Sequence, residues 1–186
     1  MRIVGGRCRG LRLAAPEGDR VRPTSDRARE AVFNILVHRY GPAGFPLIGA
    51  RVLDLCAGTG AMGLEAWSRG AAHVTFVERD PAVARALDRN LAAAKIGDAA
   101  RLLRADATRL PRADVPCSLV FLDPPYAAGI AAAALAAAAD AEWLARAALA
   151  VVETAADDTP DWPAGFVLDD RRTYGRAAVS FLRRGA

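Results

Sequence analysis

Apolar residues along this chain fall into two kinds of run, and the two alternate. Five short runs read as buried strands: RVLDLC (51–56), HVTFVE (73–78), ARLLRAD (100–106), SLVFLD (118–123) and ALAVVE (148–153). Their aliphatic and aromatic residues are nearly continuous, as in strands covered on both faces. Between them the apolar spacing stretches to four. In DPAVARALDRNLAAAK, Val83, Leu87 and Leu91 repeat while Arg85, Asp88 and Arg89 face elsewhere, and Asp80 with Pro81 forms an N-cap and first-turn pair. The alanine-rich run from Ala127 to Ala150 predicts helix, because alanine has the best helix propensity and Leu135, Trp143 and Leu144 supply apolar anchors. Strands alternating with helices predict an α/β fold with a mostly parallel sheet.

Both flanks depart from the alternation. After Glu153, TAADDTPDWPAG is a polar, proline-bearing loop, and the residues on either side of Tyr174 and Gly175 read as two strands of an antiparallel C-terminal hairpin. At the other end RIVGG and LRLAA predict two short strands. TSDRAREAVFNILVHR follows Pro23 as a helix, with Thr24, Ser25 and Asp26 as N-cap candidates and Ala28, Ala31, Val32, Ile35 and Leu36 on its apolar face. The chain thus divides into a short appendage, residues 1–40, and a core, residues 41–186.

Composition narrows the class. With 186 residues, 53% of them hydrophobic, one compact domain has ample material for a core. The N-terminus has no apolar signal-peptide region and no charge-free apolar segment reaches about 18 residues, so a soluble cytoplasmic protein is expected, with no membrane partner. Cys8, Cys56 and Cys117 are scattered and only His38 and His73 accompany them, which predicts neither disulfides nor a metal site. The net charge of +4 hides an uneven distribution. Residues 1–40 hold nine arginines against four acids, residues 171–186 hold five arginines and no acid, and the 130 residues between carry a net −6. Basic ends around an acidic middle suit a polyanionic partner, although an arginine-rich solvated surface would look the same.

Two motifs carry candidate chemistry. In VLDLCAGTGAMGLEA, Asp54 lies in a strand run and Gly58, Gly60 and Gly63 mark a tight turn into a helix where a ligand can approach the backbone. The glycines also satisfy G-x-G-x-x-G, so a dinucleotide site stays open, and Glu78 after the second strand suits a ribose diol in either case. FLDPPY then ends the fourth strand on Asp123, Pro124, Pro125 and Tyr126. An exocyclic amino group is a poor nucleophile because its lone pair is delocalised into the base. Asp123 and the Pro124 carbonyl can accept its two N–H bonds and aim the nitrogen, the prolines fix the backbone, and Tyr126 offers a face for an extruded base.

The order D-x-x-x-G-x-G, an acid at Glu78, an acid at Asp106, then DPPY resembles the class I S-adenosylmethionine (SAM) methyltransferases, with a Rossmann-like sheet, that act on amino groups. The whole chain further resembles the RsmD family of bacterial 16S rRNA guanine-N2 methyltransferases, through RIVGGRCRGLRL, VRPTSDRAREAVFNIL, DLCAGTGAMGLEAWSRGA, FLDPPY and YGRAAVSFLRR. The resemblance implies SAM as cofactor, guanine 966 of 16S rRNA in assembling 30S particles as target, and a monomeric enzyme. It implies that Asp54, Gly58 and Gly60 hold the methionine end, Glu78 the ribose, Asp106 the adenine side, and Asp123 to Tyr126 the guanine. Arg7, Arg9 and Arg12 would grip RNA, while Arg22 and Thr24 would lie over the site or simply form a helix-start turn. Cys56 stands where that family more often has an aromatic residue. Glu65, Trp67 and His73 have no role legible in the sequence. A DNA adenine-N6 methyltransferase, a dinucleotide-dependent oxidoreductase and a non-catalytic RNA-binding module remain alternatives.

Overall fold

The computed structural model describes residues 1–15, 26–41, 47–124 and 129–185. Its strands are β1 (Arg51–Leu55), β2 (His73–Val77), β3 (Ala100–Leu103), β4 (Cys117–Leu122), β5 (Leu144–Ala155), β6 (Phe166–Tyr174) and β7 (Ala177–Arg184). Its α-helices are α1 (Asp26–Ile35), α2 (Ala61–Ser68), α3 (Pro81–Ala94) and α4 (Ile130–Asp140). The strands form one sheet in the order β3-β2-β1-β4-β5-β7-β6. β1 to β5 run parallel and β7 inserts antiparallel between β5 and β6, which is the mostly parallel sheet with a C-terminal antiparallel hairpin that the periodicity predicts.

Successive strand side chains serve opposite faces. Val52 of β1 joins Phe33 of α1, Leu64 of α2, Leu87 of α3, Phe121 and Phe181 in one apolar cluster, whereas Leu53 and Leu55 join Val120, Leu122, Leu135 of α4 and Trp143 in the other. α1, α2 and α3 therefore cover one face and α4 the other. Local chemistry agrees with the helix starts. The Asp80 carboxylate accepts from the Ala82 and Val83 N–H groups at 2.7 and 3.2 Å, with Pro81 in the first turn of α3.

Four expectations need correction. The alanine-rich run is not helical to Ala150: α4 stops at Asp140 and Leu144 opens β5. Leu149 to Val152 pair with β4 on one side and β7 on the other, and two full ladders outweigh alanine's intrinsic preference. The third strand ends at Leu103, so Asp106 lies in the loop beyond it. On α1 the fully buried positions include Arg29 and Phe33, while Ala31 and Ile35 are only half-buried. Thr24 and Ser25 lie outside the described residues.

The N-terminal strands reduce to a single antiparallel bridge between Arg2 and Arg12 around a helical turn at Gly6–Cys8. Ile3 N–H donates to Leu11 C=O at 2.9 Å and Gly10 N–H to Ile3 C=O at 2.8 Å. Gly6 has φ +72°, and a Cβ there would come within 1.9 Å of the Ser68 carbonyl, so only glycine lets this hairpin lie on α2. Ile3 and Leu13 enter the same apolar cluster as α1 and α2. Among the described residues no helix is long and apolar enough to cross a membrane, and no group of three or more His, Cys, Asp or Glu side chains is gathered for a metal ion.

Candidate active site

Parallel register aligns the strand ends. Leu55 of β1 is level with Val77 of β2 and Leu122 of β4, and Val77 with Leu103 of β3. The residues that follow, Cys56, Glu78 and Asp123, therefore open side by side on one rim. Strand order reverses between β1 and β4, the place where open α/β sheets form their ligand crevice.

Asp54 is buried beneath this rim, and its Oδ2 accepts the Gly63 N–H in the first turn of α2 at 2.8 Å. Burial pushes its carboxyl up to about 8; the Gly63 bond opposes the shift and the Asp123 and Glu78 carboxylates add to it. Glu78 clamps the glycine loop, Oε2 accepting from Gly58 N–H at 3.0 Å and Oε1 from Asp80 N–H at 2.8 Å. A carboxylate has about four acceptor positions, so Glu78 retains capacity for further donors. Gly60 has φ +79°, and a Cβ on it would meet Leu87 Cδ1 at 2.4 Å. The loop is thus held by backbone geometry, by the helix behind it and by an acid from the next strand. Cys56 takes φ +56°, and its thiol is pushed up to about 12 by burial and then by Glu78, Asp123 and Asp54, which leaves it unreactive.

Asp106 stands further along the same rim and is committed locally. Its Oδ1 accepts the Thr108 N–H at 2.9 Å and the Thr108 hydroxyl at 2.8 Å, and its Oδ2 pairs with Arg79 at 3.1 Å. The Thr108 backbone bond is the chief influence holding its carboxyl below the usual range. Asp123 is half-buried at the end of β4 and Pro124 is buried. Pro125 and Tyr126 lie outside the described residues, as do Arg22 and Thr24. Asp54, Gly58, Gly60, Glu78, Asp123 and Pro124 are brought together.

Arg7 and Arg9 belong to the turn of the N-terminal hairpin, away from this crevice, and Arg12 to its returning arm. The hairpin turn docks at the far end of α2, where Cys8 N–H donates to Ser68 Oγ at 2.8 Å and that hydroxyl donates to Gly5 C=O at 2.6 Å. An eight-residue helix puts about 12 Å between that end and the rim. The Arg7 guanidinium lies 4.6 Å from the centre of the Trp67 ring, which gives Trp67 a role the sequence did not reveal. Arg9 and Arg12 are exposed.

Sequence reasoning also missed Glu65. Its carboxylate is fully buried and gathers three segments: Oε2 accepts Val4 N–H at 2.8 Å and pairs with the buried Arg29 of α1 at 3.6 Å, while Oε1 accepts from Arg69 at 2.7 Å. Arg29 also donates to the Arg2 carbonyl and to Asp26. The available signal was an acid inside the apolar stretch AMGLEAW and an arginine on the apolar face of α1, which only a folded partner explains. His73 begins β2, at the opposite end of the sheet from the crevice.

Comparison with known proteins agrees with this architecture over the full chain. Ribosomal RNA small subunit methyltransferase D of Escherichia coli (strain K12) is 38% identical over 188 residues, spanning 100% of this chain and 91% of that protein. The protein of the same name from Haemophilus influenzae is 34% identical over 180 residues, 94% of this chain and 89% of that protein. Among solved structures, "Putative methyltransferase yhhF" from Escherichia coli superposes with a TM-score of 0.83 at 38% identity, covering 100% of this chain and 98% of the other. An RNA methyltransferase from Salinibacter ruber in complex with S-adenosyl-L-homocysteine shares the fold at a TM-score of 0.65 and 15% identity, over 88% and 94% of the two chains. A family model described as "Conserved hypothetical protein 95" matches residues 1–183, and with these relatives the chain belongs to that family, the RsmD family.

Proposed function

We propose that this protein transfers a methyl group from SAM to the exocyclic N2 of a guanine in 16S rRNA, acting in the cytoplasm as a monomer on the assembling 30S particle. The observation that carries the reading is the single rim on which the glycine loop, Glu78 and Asp123-Pro124 open side by side where strand order reverses. The names of its full-length relatives support small-subunit rRNA as the substrate class.

The cofactor supplies an electrophilic methyl group on a sulfonium centre. Asp54, Gly58 and Gly60 would hold its methionine end, and positive charge there would favour the ionised form of the Asp54 carboxyl, which burial otherwise disfavours. Glu78 has acceptor positions left for the ribose hydroxyls, and Asp106 would flank the adenine. Asp123 and the Pro124 carbonyl accept the two N–H bonds of the guanine amino group, which fixes the direction of its lone pair, and the carboxylate stabilises the charge that develops on nitrogen. Pro125 would stiffen this acceptor segment and Tyr126 would stack on the extruded base. The first forty residues act as the RNA-holding appendage: Arg7, Arg9 and Arg12 bind phosphates, and Arg22 and Thr24 are further candidates for substrate binding.

The test compares methyl incorporation into 30S particles or 16S rRNA from cells lacking the endogenous enzyme with incorporation into duplex DNA, followed by nucleoside analysis. N2-methylguanosine from rRNA is expected. N6-methyladenine from DNA with no methylated guanine from rRNA would replace this reading with a DNA methyltransferase.

A further inference from the structure

Asn90 sits within α3 with 2% of its surface exposed. Its amide is fully engaged: Oδ1 accepts Ala14 N–H at 2.8 Å, and Nδ2 donates to the carbonyls of Ala14 and Thr59, both at 2.9 Å. Those two partners belong to different parts of the protein. Thr59 stands between Gly58 and Gly60 in the loop assigned to the cofactor. Ala14 follows the exposed Arg12 by two residues, on the returning arm of the arginine hairpin. The outgoing arm reaches the same loop, since Thr59 Oγ1 lies 3.8 Å from Met1 Sδ.

A helix that only packed against the sheet would carry an apolar residue at such a site, as α3 does at Leu87 and Ala94 on the same buried side. Asparagine is a poorer helix former, and burying its amide is costly unless every group finds a partner. Here the partners are supplied by the two segments that the methyl-transfer reading assigns to the two substrates.

We propose that Asn90 is a positioning residue that couples cofactor binding to RNA binding, by holding the Thr59 loop and the arginine hairpin on one side-chain amide. The inference rests on the methyl-transfer reading above. When the two segments share one anchor, the ligand that binds first orders both, and the second binds a partner already ordered. Thermodynamic linkage makes the effect reciprocal. A purely structural asparagine would change stability or both affinities alike and leave their coupling intact.

Calorimetric titration of S-adenosylhomocysteine into the full-length protein, alone and saturated with 16S rRNA from cells lacking the endogenous enzyme, gives two affinities whose ratio measures the coupling. For the wild type we expect rRNA to tighten binding about fivefold or more. In Asn90→Ala the ratio falls to near one. Ala14→Pro supplies a second route that keeps α3 intact: it deletes the donated N–H at an exposed position, leaves the Asn90 bonds to the Ala14 and Thr59 carbonyls in place, and should lower the ratio while affinity without RNA stays within about twofold. If Asn90→Ala shows no cooperative melting transition, Ala14→Pro alone decides. A wild-type ratio near one, or a wild-type ratio retained in Ala14→Pro, overturns the proposal. Methyl transfer to rRNA with an unchanged ratio sinks the coupling alone, whereas absence of methyl transfer by the wild type sinks the reading beneath it as well.

Discussion

Two carboxylates associated with the same helix are buried in opposite ways. Glu65, inside α2, meets Arg29, Arg69 and the Val4 N–H, so its charge is matched by cations and a donor. Asp54, at the N-terminal end of α2, meets one N–H, and its charged neighbours are two more acids, Asp123 and Glu78. Where burial serves only to join segments, the fold matches charge with opposite charge. At the crevice it sets acid against acid, an arrangement that raises protonation and suits a ligand bringing positive charge. A buried acid whose charged neighbours are acids, as Asp54 is, thus marks the site more sharply than burial itself.

The largest expected effect tests this contrast through pH. Below about 4 the Asp54 carboxyl is protonated in folded and unfolded chains alike, and its burden is nil. As pH rises the unfolded chain ionises first while the folded one waits until about 8, so ligand-free stability falls through that window, by roughly 6 kcal/mol in total at about 1.4 kcal/mol per pKa unit. Chemical denaturation of wild type and Asp54→Asn across pH 4 to 8 should give curves that diverge steadily, with the variant gaining as pH rises; parallel curves would erase the distinction. Next comes Glu65→Ala, which takes the buried carboxylate from between Arg29, Arg69 and the Val4 N–H and leaves Arg29 only its partners at the N-terminal end of α1 and in the hairpin; it should cost about 3 kcal/mol in the same assay at constant pH. A cost near that of a surface mutation would show that the triad is not what holds the N-terminal segment.

Asp123→Ala belongs to the crevice side of the comparison. We expect methyl transfer to fall about a hundredfold, near 2.7 kcal/mol, while calorimetric SAM affinity stays within a few-fold, because its proposed partner is the target amino group. Parental turnover would detach Asp123 from the chemistry.

The smallest effects separate the two basic ends, which carry equal net charge in the sequence but differ in the fold. In the C-terminal hairpin Arg171 donates to the carbonyls of Ala155, Ala156 and Asp158, Arg172 pairs with Asp170, Arg183 with Asp169, and Arg184 donates to the Leu144 carbonyl. Those arginines largely serve the fold. Arg7, Arg9 and Arg12 point to solvent, one of them stacked on Trp67. Replacing these three by Ala should lower the salt dependence of RNA binding by about 0.7 to 0.9 per lost contact. Arg171→Ala should instead lower stability by about 1–2 kcal/mol and leave that slope unchanged. The same slope change from both ends would dissolve the distinction.

Much of the architecture was legible without coordinates. Continuous apolar runs located the buried strands, a fourfold apolar repeat and the Asp80-Pro81 pair located α3, and Asp54, the glycines, Glu78 and Asp123 were placed at strand ends, because each signal depends on neighbours close in the chain. The extent of the alanine-rich helix was not legible, since β5 is decided by ladders with β4 and β7 that alanine's propensity cannot anticipate. Nor were Glu65 and Asn90, whose partners lie up to 61 and 76 residues away. Periodicity determines which face of an element is apolar. It carries no record of which distant backbone group will meet a polar side chain on that face, and that pairing, together with the register that lines up the strand ends, exists only once packing has excluded water and made every buried polar atom find a partner.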